Sequence, residues 1–100
     1  MSNSKNMATN GRTAVVNMEE EYMRLQIDYA IPEDRPLICS TLDQVEKELD
    51  IYPEVVHKRN DNGGTYYIEF EKELYTTSRL PGEFIEKILK ELSIERCEDR

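Results

Sequence analysis

The chain has no tryptophan, one histidine, two phenylalanines and two cysteines among its 100 residues. Each scarcity excludes something. The cysteines, Cys39 and Cys97, show no C-x-x-C spacing and have no histidine nearby, so a zinc site is not expected. They read as buried small residues or exposed bystanders rather than a redox pair. Glycine is sparse, and neither G-x-G-x-x-G nor G-x-x-x-x-G-K-[ST] occurs, so no nucleotide fingerprint is present. No apolar run approaches the length of a membrane span. Residues 1–17 lack the apolar stretch of a signal peptide, and a cytoplasmic setting with reduced thiols is expected.

Basic residues are also short. Lys and Arg number 13 against 21 Asp and Glu, for a net charge of −8. The imbalance is uneven. Lys5 and Arg12 are the only charges in residues 1–17, so the remainder carries −10. Such a body repels polyanions, which argues against direct nucleic-acid or anionic-membrane binding, and it attracts a basic partner surface. The composition is 38% apolar and 34% charged, with mean hydropathy −0.73. That suffices for one small core, and a second core would need roughly another 50 residues. Six tyrosines dominate the aromatics, so several rings carry a hydroxyl that needs water or a partner.

Residues 1–11 are small and polar and read as a disordered tail, leaving 12–100 as a single domain. Ala14-Val15-Val16 forms an apolar cluster suited to packing on the body or to a short edge segment. From Tyr22 to Ile31, Met23, Leu25, Ile27, Tyr29 and Ile31 occupy every second position, the period of a strand with one buried face. Pro32 to Pro36 reads as a charged loop. Thr41 with Gln44 fits a capping box, predicting a helix over about 41–50 with Leu42, Val45 and Leu49 on one face. Asn60-Asp61-Asn62-Gly63-Gly64 separates two strand-like runs, and Asn-Gly predicts a type I′ hairpin. The outgoing strand, Thr65 to Tyr75, sets Tyr66, Ile68, Phe70 and Leu74 against Tyr67, Glu69, Glu71, Glu73 and Tyr75. Lys72 interrupts the apolar side and marks a bulge or the strand's departure from the core. Pro81 to Leu92 reads as a helix with a stripe of Phe84, Ile85, Ile88, Leu89 and Leu92. The expected fold is therefore α+β, in the order β-α-β-β-α. It has a three-stranded sheet with two helices on one face.

Candidate chemistry is thin. His57 has no Ser or Cys beside it in sequence and reads as a surface or edge histidine. The Asn60–Gly64 loop looks calcium-like, yet aligning either glycine with the sixth position of a calcium loop puts Lys58 or Arg59 first. A cation there repels calcium. The same loop, beside Lys58 and Arg59, offers backbone N–H groups to an anion. The leading candidate is the face Tyr67, Glu69, Glu71, Glu73 and Tyr75. Tyrosines give contact area at low entropy cost, and carboxylates pair with arginine. Alternation of this kind is also what a plain half-exposed strand shows. The sequence thus points to a small acidic, non-enzymatic protein-binding module, an inhibitor or adaptor acting on a basic surface of a larger protein, with no cofactor. The alternative is a small-ligand or anion-binding regulatory domain.

Overall fold

The computed structural model describes residues 12–94; the expected tail at 1–11 and Cys97 lie outside them. Strands β1 (Arg12–Met18), β2 (Tyr22–Tyr29), β3 (Glu54–Arg59) and β4 (Gly64–Glu71) form one antiparallel sheet in the order β1-β2-β4-β3. Helices α1 (Asp34–Leu49), α2 (Lys72–Thr77) and α3 (Leu80–Glu91) complete the α+β fold. β4 runs antiparallel to both neighbours, so β2 and β3 are parallel to each other with β4 between them.

The alternation in β2 and β4 decides which side is core. Leu25, Ile27, Ile68 and Phe70 are fully or almost fully buried on one face, joined by Ile38, Leu42 and Val45 of α1 and Phe84, Ile85 and Ile88 of α3. Phe70 and Phe84 meet edge to face, 5.3 Å between ring centres. Among the described residues no helix covers the opposite sheet face, which carries the intervening polar residues.

Four expectations are corrected. The sheet has four strands, not three, because Ala14 and Val16 are buried members of a seven-residue edge strand. A run of three apolar residues hid that alternation. The helix expected at 41–50 begins at Asp34, so the last three residues of the expected loop, Asp34 to Pro36, are its first turn. Pro36 is tolerated there because first-turn N–H groups have no partner within the helix. Thr41 is consequently a buried helical residue and not a cap. The long outgoing strand stops at Glu71, and Lys72 to Thr77 forms a third helix, where two had been expected. β2 ends at Tyr29, two residues before Ile31, which is exposed.

The hairpin also differs. Arg59 pairs with Gly64, which leaves Asn60–Gly63 as the loop, closed by Asn60 N–H donating to the Gly63 carbonyl at 3.0 Å. No non-glycine residue of this loop has positive φ, so the type I′ turn is not formed. Gly63 is needed for space instead, because a Cβ there would land on the Tyr29 carbonyl oxygen.

One ion pair ties the sheet to the helices. The Arg12 guanidinium meets the Asp34 carboxylate at 2.8 Å and also donates to the Leu92 carbonyl at 2.9 and 3.1 Å. Asp34 sits in the first turn of α1, where the helix dipole favours an anion. Both side chains are nearly buried, so removing one partner leaves the other poorly compensated. Asp34→Ala is expected to cost about 3 kcal/mol, whereas replacing both Asp34 and Arg12 by apolar residues costs much less. Urea unfolding of the two single variants and the double variant checks this. Ile88, fully buried in α3, gives the core test. Ile88→Ala should lower the unfolding free energy by about 2–5 kcal/mol, and a loss under about 0.5 kcal/mol would contradict the packing.

Candidate functional site

The uncovered sheet face is organised in cross-strand rows. Asn17, Arg24, Glu69 and Glu54 form one row, and Val15, Gln26, Tyr67 and Val56 the next. Thr13, Asp28, Thr65 and Lys58 form a third, and Tyr22 faces Glu71 at one end. Side chains alternate across a strand, so residues of a row project together.

The middle of this face is internally paired. Arg24 donates to the Glu69 carboxylate at 2.9 Å and to the Tyr22 hydroxyl at 3.2 Å. Its guanidinium lies 5.1 Å from the centres of both the Tyr22 and Tyr67 rings. The bond to Glu69 pushes the Arg24 pKa further up, so this cation is permanent. Lys58 approaches Tyr67 from the other side, 5.9 Å from the ring centre. Thr65 donates to Asp28 at 2.6 Å. Glu69 and Asp28 are therefore engaged, while Glu54 and Glu71 have no side-chain partner among the described residues.

At the corner where β2 and β4 approach α2 lies a pocket of about 440 Å³ walled by Tyr22, Tyr52 and Leu74 and rimmed by Glu21, Glu54 and Glu71. Tyr52 is 63% exposed there. The open face is thus neutralised at its centre and anionic at this end.

Of the five residues singled out from the sequence, the structure brings Tyr67, Glu69 and Glu71 onto this face and removes Glu73 and Tyr75 from it. Both belong to α2. Tyr75 leans half-buried on the core, and its hydroxyl donates to the Glu19 carbonyl at 3.1 Å. Adjacent Leu74 and Tyr75 both pack on the core, which a strand forbids and a helix allows. Lys72 was the available signal for the change of period. Tyr22 and Tyr52 were missed as members of the surface, since neither belongs to the alternating run of β4.

A second cluster lies on the covered side. His57 stacks on Tyr66 with ring centres 4.0 Å apart and planes at 5°. Its Nε2 is 2.7 Å from the Tyr29 hydroxyl, which accepts from Arg35 Nε at 3.0 Å. Desolvation first, then the Arg35 and Arg59 charges, lower the His57 pKa, so the imidazole is neutral near pH 7. The group joins β2, β3, β4 and α1 mechanically. The charges acting on it are those of Arg35 and Arg59, and among the described residues no carboxylate is bonded to His57. In the hairpin loop, Gly63 N–H already donates to Asn60 Oδ1 at 2.8 Å and Asn60 N–H to Gly63, which takes two donors away from an anion. Cys39 is an exposed free thiol on α1, and no metal-binding group of His, Cys, Asp and Glu occurs among the described residues.

Comparison with protein-family models, with curated proteins and with solved structures finds no match in any of the three. No described helix is long and apolar enough to cross a membrane.

The His57 pKa has a pH consequence. A folded-state value below the ordinary 6.5 means the unfolded chain takes up the proton first. The stability contribution is therefore complete above about pH 7.5 and falls as pH drops through 6.5 toward the folded value. In His57→Phe, which keeps a ring on Tyr66, urea midpoints should lose this part of the pH dependence between pH 7.5 and 5.

Proposed function

We propose that the chain is a small acidic, non-enzymatic protein-binding module that engages a basic surface of a larger cytoplasmic protein through its open sheet face, as an inhibitor or adaptor. The observation that supports this reading best is the uncovered face itself. It presents two tyrosines whose rings lie against the Arg24 guanidinium and ends in a pocket lined by carboxylates. Arg24 and Lys58 hold the rings in place, so little side-chain entropy remains to be lost on docking. Tyrosine at the centre with charge at the rim is the arrangement in which the aromatic contributes affinity and the carboxylates accelerate encounter. Glu69, already bound to Arg24, orients the platform, and Glu71 meets the partner.

Affinity purification with mass spectrometry at low and high salt identifies the partner, and association rates then test the face. Tyr67→Ser should weaken binding at least tenfold, as truncation of a buried interface aromatic does. Glu71→Gln should slow association and flatten its salt dependence, with stability changed by under about 1 kcal/mol. Glu73→Gln, on α2, should change neither. Equal rates and salt slopes for wild type and both face variants would remove the sheet face from the reading.

A further inference from the structure

β3 is an edge strand. Among the described residues it pairs with β4 on one side only, so one row of its backbone N–H and C=O groups has no partner in the sheet. Its ends are charged, with Glu54, Lys58 and Arg59 exposed, while its middle is apolar. Val56 is 41% exposed and Val55 36%, side by side in the middle of the strand. Glu54, Val56 and Lys58 project from the open face, in register with Glu69, Tyr67 and Thr65 of β4. Val55 and His57 project from the helix-covered face, in register with Ile68 and Tyr66.

This sequence is complementary to itself. A twofold axis perpendicular to the sheet and passing beside Val56 would set a second β3 antiparallel to the first. Antiparallel neighbours place directly opposed residues on the same face. Val56 then lies against the partner's Val56. Glu54 lies opposite the partner's Lys58, and Lys58 opposite Glu54 of the partner subunit. On the other face Val55 lies opposite the partner's His57. Two opposite-charge pairs thus flank an apolar contact, and both occur by symmetry from one strand. A register shift by one residue in the sum of opposed positions would put residues of opposite faces together, so the alternation excludes it. The other edge strand, β1, carries Thr13, Val15 and Asn17 on the open face, with no charge to specify a register.

From this edge we infer that a second copy of the chain pairs along β3, forming a twofold dimer that joins the two four-stranded sheets into one continuous sheet. The interface is isologous, the form in which one patch is its own partner. It extends the open face across both copies and places the two corner pockets near the shared edge, because Glu54 belongs to both features. The inference rests on the β3 edge alone and not on the partner-binding reading above.

Sedimentation equilibrium of the full chain from micromolar to millimolar concentration, with charge-reversed variants, tests it. The wild type should approach twice the 11.8 kDa chain mass. E54K and K58E each set like charges opposite one another, so each alone should sediment as a monomer. An equimolar mixture of the two should recover the dimer, since one chain then presents cations where the other presents carboxylates. The exposed positions make unfolding an unexpected outcome, and Val56→Lys, which brings two cations together at the axis, replaces either variant that does not fold. A wild type that remains at 11.8 kDa throughout overturns the inference and leaves the edge for a strand of another protein. Single variants that dimerise as well as wild type place the interface elsewhere. A mixture that stays monomeric overturns the register.

Discussion

The pairing of β2 with β4 is the constraint on which the other features depend. Leu25 lies opposite Ile68 and Arg24 opposite Glu69, and both facts come from one register. Because side chains alternate with period two, sliding either strand by one residue would turn its apolar row out to water and its charged row into the helices. The burial of Leu25, Ile27, Ile68 and Phe70 fixes the register, and the open face follows with no further choice. Tyr67 stands between Arg24 and Lys58 because β4 lies between β2 and β3.

The open face therefore combines two kinds of residue with different obligations. Arg24 pairs with Glu69, and Asp28 accepts from Thr65 and Gln26, so the polar groups at the middle of this wet face have partners within it. The carboxylates of Glu71, Glu54 and Glu21 have no ion-pair partner among the described residues, and they line a pocket that also has aromatic and aliphatic walls.

How much of this could be read from the sequence depended on distance along the chain. β2 and α3 were legible because each has a single period over many residues, two for Met23 to Tyr29 and 3.6 for Phe84 to Leu92. The outward position of Tyr67, Glu69 and Glu71 followed from the same alternation. The start of α1 was not legible, since Asp34 is held by Arg12, 22 residues earlier. The surroundings of His57 were equally hidden, because Tyr29 reaches it across 28 residues and the stack on Tyr66 depends on strand pairing. Glu73 and Tyr75 were placed on the strand because alternation continues for a few residues by chance where β4 gives way to α2. One interruption at Lys72 is weak evidence for a change of period in a segment of six residues.

The central place of β4 has a bearing on how the chain reaches this state. Among the described residues it is the last strand in chain order and the only one paired with β3, yet it also completes β2. The β1–β2 hairpin forms from neighbouring residues, so it is available early. β3 then has nowhere to dock, and β2 keeps a bare edge, until residues 64–71 arrive between them. A nascent chain halted after α1 or β3 would thus expose two incomplete sheet edges and half a core, the condition in which strands seek foreign partners. The β2–β4 pairing joins Arg24 to Glu69 across 45 residues, a non-local contact of the kind that slows folding.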